Sequence, residues 1–278
     1  SGIPQVEGIL TRNLKQNWFS VLFYKFIGGL ICLGAGLSVG REGPSVQMGA
    51  CVGEGLSKKT NKLDNEKKYL ITSGASAGLS AAFNAPISGV MFSLEETHKN
   101  FSPFVLVSAM IASLMADFVS KNFFGLTPSL YFTKLNSLPL KYYWTLIFIG
   151  IIIGISGVIF SKGLLKTQNL YKSLNISVEI KSIIPFVITG ILGLTFPIVL
   201  GGGHDLIISL QDRQFTLLFL FILIVVKFLF TCACFGSGAP GGIFFPLLVL
   251  GALVGNFVGL IYVKYLGIPS IYLMNFVV

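Results

Sequence analysis

The sequence predicts an all-α polytopic membrane protein made of two structural repeats, with helices broken by glycine and proline. Three observations carry that prediction. The chain is 53% hydrophobic and only 11% charged, with a mean hydropathy of +0.81, which excludes an ordinary soluble domain. Residues 69–94, 142–161, 182–203 and 228–263 contain no Asp, Glu, Lys or Arg. A bilayer core needs roughly 20 apolar residues per helix, so each of these runs is long enough to span. Finally, one stretch occurs twice, 202 residues apart: Lys25 to Gly53 and Lys227 to Gly255 align without a gap. They match at Lys25/Lys227, Cys32/Cys234, Gly34/Gly236, Gly40/Gly242, Pro44/Pro246, Gly49/Gly251 and Gly53/Gly255, among others.

Taken in order, a short segment at 3–13 precedes a long apolar helix at 16–38. Glycines break the chain at 39–43, and Pro44 opens a half-helix at 44–57, because proline at a first helical position loses no hydrogen bond. A basic loop at 58–68 leads to helices at 69–82 and 87–98, split by Asn84-Ala85-Pro86. Apolar helices follow at 103–124, 141–172, 180–200 and 214–235, then a second break at 236–243 and a helix at 244–264. Residues 1–124 form most of a first membrane repeat, 125–140 (GLTPSLYFTKLNSLPL) the connection, and 141–278 part of a second, within one integral membrane domain. Such halves bury their faces against each other, and both parallel and inverted repeats stay open. Ser1 without a methionine and the apolar stretch at 271–278 suggest the central part of a longer polypeptide, incomplete at both ends.

The net charge of +9 collects partly at Lys58, Lys59, Lys62, Lys67 and Lys68. A positive-inside bias accounts for it better than a nucleic-acid surface. Cys32, Cys51, Cys232 and Cys234 lie in apolar stretches without metal-ligand spacing and read as small core residues.

The chemistry concentrates at the breaks. In Gly40-Arg41-Glu42-Gly43-Pro44, glycines allow a sharp turn and a close backbone approach. The first amides of the following helix lack intrahelical partners and carry positive partial charge. Inside a membrane an anion satisfies such an end. Gly242-Ile243-Phe244-Phe245-Pro246 repeats the device without the charges. Paired Gly/Pro-interrupted segments in two halves point to a transporter's binding site, here one anion site shared by two helix ends. Glu42 can occupy the anion's place when charged and leave it when protonated. Arg41 is either its partner or faces an aqueous vestibule.

These motifs carry a resemblance. The chain resembles the CLC family of chloride channels and chloride/proton exchangers, and looks like a bacterial-type exchanger. It has Ser1-Gly2-Ile3-Pro4, GREGP at 40–44, GGIFFP at 241–246, AGLSAAFNAPISGVMFSLEE at 77–96 and GSGAPGG at 236–242. The resemblance covers essentially the whole chain. It implies a two-repeat CLC-like architecture with re-entrant helices, in a homodimer of the full-length protein. It further implies that the Ser1 hydroxyl and the Ile243 and Phe244 amides bind the anion, with the Gly43 amide near Glu42. Glu42 is then the gating, external proton-accepting residue, and Glu96 the internal proton glutamate, with Glu95 beside it. Glu7, Lys25 and Arg41 match a buried supporting charge cluster. Lys25 has its repeat mate in Lys227, so a purely structural role there also stays open. The family's pore tyrosine would lie beyond Val278.

The expected function is secondary active exchange of chloride, or a similar monovalent anion such as nitrate, against protons. A passive voltage- or pH-gated chloride channel is the alternative. No cofactor, metal or nucleic-acid partner is expected, and the location is a bacterial inner membrane. Read from the residues alone, Glu95 and Glu96 are also compatible with a solvated helix end. His98 is expected at the interface, and His204-Asp205 in a loop occupying the place in the second half that Ser1-Gly2-Ile3-Pro4 holds in the first. An enzyme is not expected, because no paired His/Glu metal motif or nucleophile with a base occurs at motif spacing. A fluoride-specific relative and a non-transporting scaffold fit the motifs less well.

Overall fold

A computed structural model describes residues 2–99, 102–126, 130, 132, 135–213 and 215–278. The described residues form helices α1 (Ile3–Leu10), α2 (Trp18–Gly34), α3 (Glu42–Lys59), α4 (Asp64–Phe83), α5 (Pro86–Phe92), α6 (Pro103–Phe124), α7 (Trp144–Ser173), α8 (Val178–Thr195), α9 (His204–Asp212), α10 (Leu217–Gly236) and α11 (Phe244–Leu266). No extended strand occurs among them, only one isolated antiparallel bridge between Gly40 and Gly242. Among the described residues, four apolar segments are long enough to cross a membrane, namely Pro103–Phe124, Leu140–Ser173, Leu217–Gly236 and Phe244–Leu266. Trp18–Gly34 is a shorter apolar helix.

The chain divides into two compact units. The first comprises Ser1–Cys32, Gly40–Ser129 and Pro240–Gly242. Its centre is the α3/α4 pair, and glycine builds it. A Cβ on Gly49 or Gly74 would run into the other's carbonyl, one on Gly53 into that of Leu70, and one on Gly78 into that of Ser45. The two Gly-x-x-x-Gly pairs therefore bring antiparallel backbones into contact, the close approach that small residues permit where lipid supplies no hydrophobic drive. Hydroxyls join α4 to α6: Ser76 and Ser113 lie 2.6 Å apart, and Ser120 donates to the Ala81 carbonyl at 3.1 Å. Asn84 adopts a left-handed conformation at φ 53° and Pro86 starts α5. The uncharged run 69–94 is thus two helices and no single span. Its second part ends in a π-helical turn, Ser93–His98, that carries Glu95 and Glu96.

The second unit comprises Leu33–Val39, Leu130–Ala239 and Ile243–Val278. Ile149, Val258, Tyr262, Ile268 and Phe276 form one of its buried clusters. The run 182–203 stops being α-helical at Thr195, where Pro197 begins a 3₁₀ turn to Val199. The terminal apolar residues form another 3₁₀ turn, Ser270–Phe276. Position 227 in α10 holds a fully buried lysine. Its ammonium donates to the carbonyls of Val199 (2.8 Å) and Gly201 (2.7 Å), which anchors the loop ahead of α9. All four cysteines are free and buried.

One expectation changes here. His204 does not lie in a loop but is the first residue of α9, capped by Gly203 at φ 98°. In the first unit α1 also starts from a positive-φ glycine, Gly2 at φ 105°, ψ −87°, whereas Gly203 is left-handed with ψ 20°. The glycine triplet ahead of His204 reads as a turn, and it also supplies the positive-φ residue that starts this short helix.

Candidate functional site

The first break reaches its helix sooner than its proline suggests. α3 begins at Glu42, with Arg41 as its N-cap at φ −83°, ψ −14°. Pro44 is therefore the third helical residue, not the first. That costs nothing, since the first four amides of a helix have no intrahelical partner and a proline at any of them forfeits no bond. The ladder starts where the Ser45 N–H reaches the Arg41 carbonyl at 3.0 Å. The amides of Glu42 and Gly43 lie ahead of it. An acidic first residue also suits the positive end of the helix dipole.

Glu42 is 2% exposed. Its surroundings are set by two glycines that are repeat mates. Gly40 N–H donates to the Gly242 carbonyl at 2.8 Å, and Gly242 N–H returns a bond to Gly40 at 2.7 Å. The bridge is antiparallel, so where the two breaks meet the copies run in opposite directions. A Cβ on either glycine would collide with the Glu42 carboxylate. The acid therefore sits directly on the paired backbones, in space that only glycine at both positions leaves open. Gly2 completes the surroundings from α1. Its amide donates to Gln5 Oε1, and a Cβ there would come within 2.6 Å of the Gly43 carbonyl oxygen. The start of α1 thus abuts the start of α3. Ser1 lies outside the described residues.

In the second unit, α11 repeats the geometry of α3. Ile243 is its N-cap at φ −104°, ψ −19°, Phe244 its first residue and Pro246 its third. Its ladder starts from the Leu247 N–H to the Ile243 carbonyl at 3.1 Å, leaving the Phe244 amide ahead of it. Phe244 is half-exposed, whereas Phe245 is buried and stands 6.2 Å from the His204 ring.

The remaining residues singled out in the sequence are more dispersed. Glu95 and Glu96 are both exposed on the π-helical turn. Glu7 is partly exposed and pairs with Lys99, Oε1 to Nζ 2.5 Å. This contact, and then the Glu7 charge, raise the Lys99 pKa above its ordinary value, with a smaller contribution from Glu96. Lys99 thus lies within electrostatic reach of both Glu7 and Glu96, 92 residues from the former; no local sequence signal marks that juxtaposition. Arg41 is exposed, with its guanidinium 5.9 Å from the Phe83 ring centroid. Lys25 is only partly buried. Arg41 keeps more accessible surface than Glu7 or Lys25, and each of the three is buried only in part. His98 is partly buried, its Nδ1 3.0 Å from the Thr72 hydroxyl, and burial and the Lys68 charge lower its pKa.

The sequence profile of the family described as "Voltage gated chloride channel" matches residues 1–278. The chain belongs to this family, the CLC family. The H(+)/Cl(-) exchange transporter ClcA of Salmonella paratyphi A is 37% identical over 268 residues, covering 94% of this chain and 56% of that protein. The ClcA protein of Salmonella typhimurium matches to the same extent, 37% over 268 residues. The chain thus spans little more than half the length of these relatives. Among solved CLC structures, a slow cyanobacterial Cl⁻/H⁺ antiporter superposes with a TM-score of 0.90 at 32% identity, covering 100% of this chain and 67% of that one. A CLC-type fluoride/proton antiporter shares the fold, with a TM-score of 0.80 at 22% identity over 98% of this chain and 68% of its own. The fold is that of the CLC transporters, all-helical with broken helices, and the chain is an integral membrane protein.

Proposed function

We propose that the protein of which this chain is part exchanges chloride, or a similar monovalent anion, for protons across a bacterial inner membrane, working as a homodimer. One observation carries the reading. The Glu42 carboxylate is buried in the first turn of α3 against Gly40 and Gly242, in the place where the helix end favours an anion. A charged Glu42 competes with a transported anion for that end, and a protonated one releases it. A single acid is then both gate and proton carrier. The Gly43, Ile243 and Phe244 amides and the Ser1 hydroxyl would hold the anion, and Glu96 would deliver the proton from the opposite side. Oriented backbone and hydroxyl donors select the ion on this reading, not a ring of cationic side chains. The relatives named as H(+)/Cl(-) exchangers support it.

The test uses the full-length protein in liposomes. An imposed chloride gradient is expected to drive protons uphill, and Glu96→Ala to abolish that movement while chloride still flows. Chloride flux in the wild type with no coupled protons would make the protein a channel and remove the transport role from Glu96.

A further inference from the structure

A cavity of about 430 Å³ opens in the first unit, well along the chain from Glu42. Arg12 and Lys15 reach it from the link between α1 and α2, Lys58 from the end of α3, and Lys67 and Lys68 from the start of α4. Two acids share it. Glu54 is buried and takes Lys58 at 2.8 Å, with Lys67 at 3.9 Å and Gln16 donating at 3.2 Å. Asp64 takes Arg12 at 2.7 Å. Among the described residues, neither Lys15 nor Lys68 has a carboxylate at ion-pair distance, so the lining keeps a surplus of positive charge. His98 registers part of it, since Lys68 adds to burial in lowering its pKa. Arg12 follows the C-cap of α1 at φ 62°, the left-handed position at which helices commonly end, and this turn brings its side chain to the cavity.

The surroundings are those of a bilayer surface. Leu14 lines the cavity while 47% exposed. Trp18, which opens apolar α2, packs its ring on Gly55 of α3, and tryptophan favours the membrane–water boundary. Beyond it, Phe19 and Phe23 lie exposed along α2, a surface for acyl chains. Basic pockets in such positions recognise phosphate-bearing headgroups.

We infer that this cavity binds the phosphate of an anionic phospholipid headgroup through Lys15, Lys68 and Arg12, with the acyl chains along α2. α1 and α3 meet at Gly2 and Gly43, and their opposite ends both reach this cavity. A headgroup there clamps the far ends of the two helices that begin beside Glu42. Glu54 fixes Lys58 and Lys67 as a frame and leaves the surplus lysines for the ligand.

Native mass spectrometry of the full-length protein in detergent, titrated with phosphatidylglycerol or phosphatidylcholine, tests this. Saturable, preferential phosphatidylglycerol binding is expected. The Lys15→Gln/Lys68→Gln double variant, which breaks no ion pair, should weaken it by about tenfold or more. Lys15→Arg/Lys68→Arg should retain it, and Asp64→Asn, which releases Arg12, should strengthen it. A second arm adds inorganic phosphate alone. If phosphate displaces the lipid and binds without it, the occupant is free phosphate and the lipid assignment fails. Equal binding of the two lipids, or full binding by the double glutamine variant when it is folded and monodisperse, would overturn the site altogether.

Discussion

The two glycine-rich breaks start their helices alike and differ in what they carry. Arg41 and Ile243 cap with similar backbone angles. Gly36 and Gly238, another repeat pair, both have φ 84°. Pro44 and Pro246 are each the third helical residue. Yet the first copy places a buried glutamate where the second places a half-exposed phenylalanine. The short capped helices repeat the contrast: α1 has Glu7 five residues after its capping glycine, and α9 has Ile208. The lysines reverse it, since Lys227 is fully buried against two carbonyls while Lys25 is only partly buried. Duplication therefore supplies two similar helix starts, and the acid at the helix start is added to one copy alone. The second copy contributes to Glu42 through Gly242, by having no side chain there.

That last point gives the largest expected effect. In Gly242→Ala, the new Cβ falls on the Glu42 carboxylate, and a misplacement of that order costs about tenfold to a hundredfold in rate. Proton-coupled chloride transport by the reconstituted full-length protein should drop accordingly. Gly251→Ala is the control, because a Cβ there meets nothing within 4 Å. It should transport like the wild type. Equal activity of the two variants would mean that the second copy does not shape the position of Glu42.

A smaller effect separates the two lysines. Lys227→Met leaves the Val199 and Gly201 carbonyls without their donor, at about 1–3 kcal/mol for each unsatisfied group. Relief of the buried charge offsets part of this, so a net loss of about 2 kcal/mol is expected in thermal unfolding of the detergent-solubilised protein. Lys25→Met should cost under about 1 kcal/mol. If Lys25→Met is the more damaging, the partly buried lysine holds more of the structure than its exposure suggests.

The sequence made the breaks legible because glycine and proline are read from local rules, and the repeat doubled the signal. Pro103–Phe124 agrees with its expected bounds because Pro103 and Gly125 mark both ends. Starts were misplaced where a proline sits inside the first turn, as Pro44 does, since any of the first positions tolerates it. α9 was missed because three glycines before His204-Asp205 have the composition of a loop. The Gly40/Gly242 pairing was within reach: this matched glycine lies inside both breaks and two residues before the acid. The contact between Glu7 and Lys99 was not, because nothing near either residue records a partner 92 positions away.

That pair also gives the smallest effect. The Lys99 and Glu7 side chains are 56% and 39% exposed, and exposed ion pairs contribute little to stability. Glu7 raises the Lys99 pKa from its ordinary 10.5. A cation with a raised pKa contributes fully below its unfolded value and loses that contribution as pH climbs through the folded one. The pair is therefore constant across neutral pH. Lys99→Gln should melt like the wild type at about pH 6 and at about pH 9 alike, with both unfolded and folded values above that window. A marked loss of melting temperature would show that the Glu7 charge, whose place in α9 is taken by Ile208, holds the first unit together.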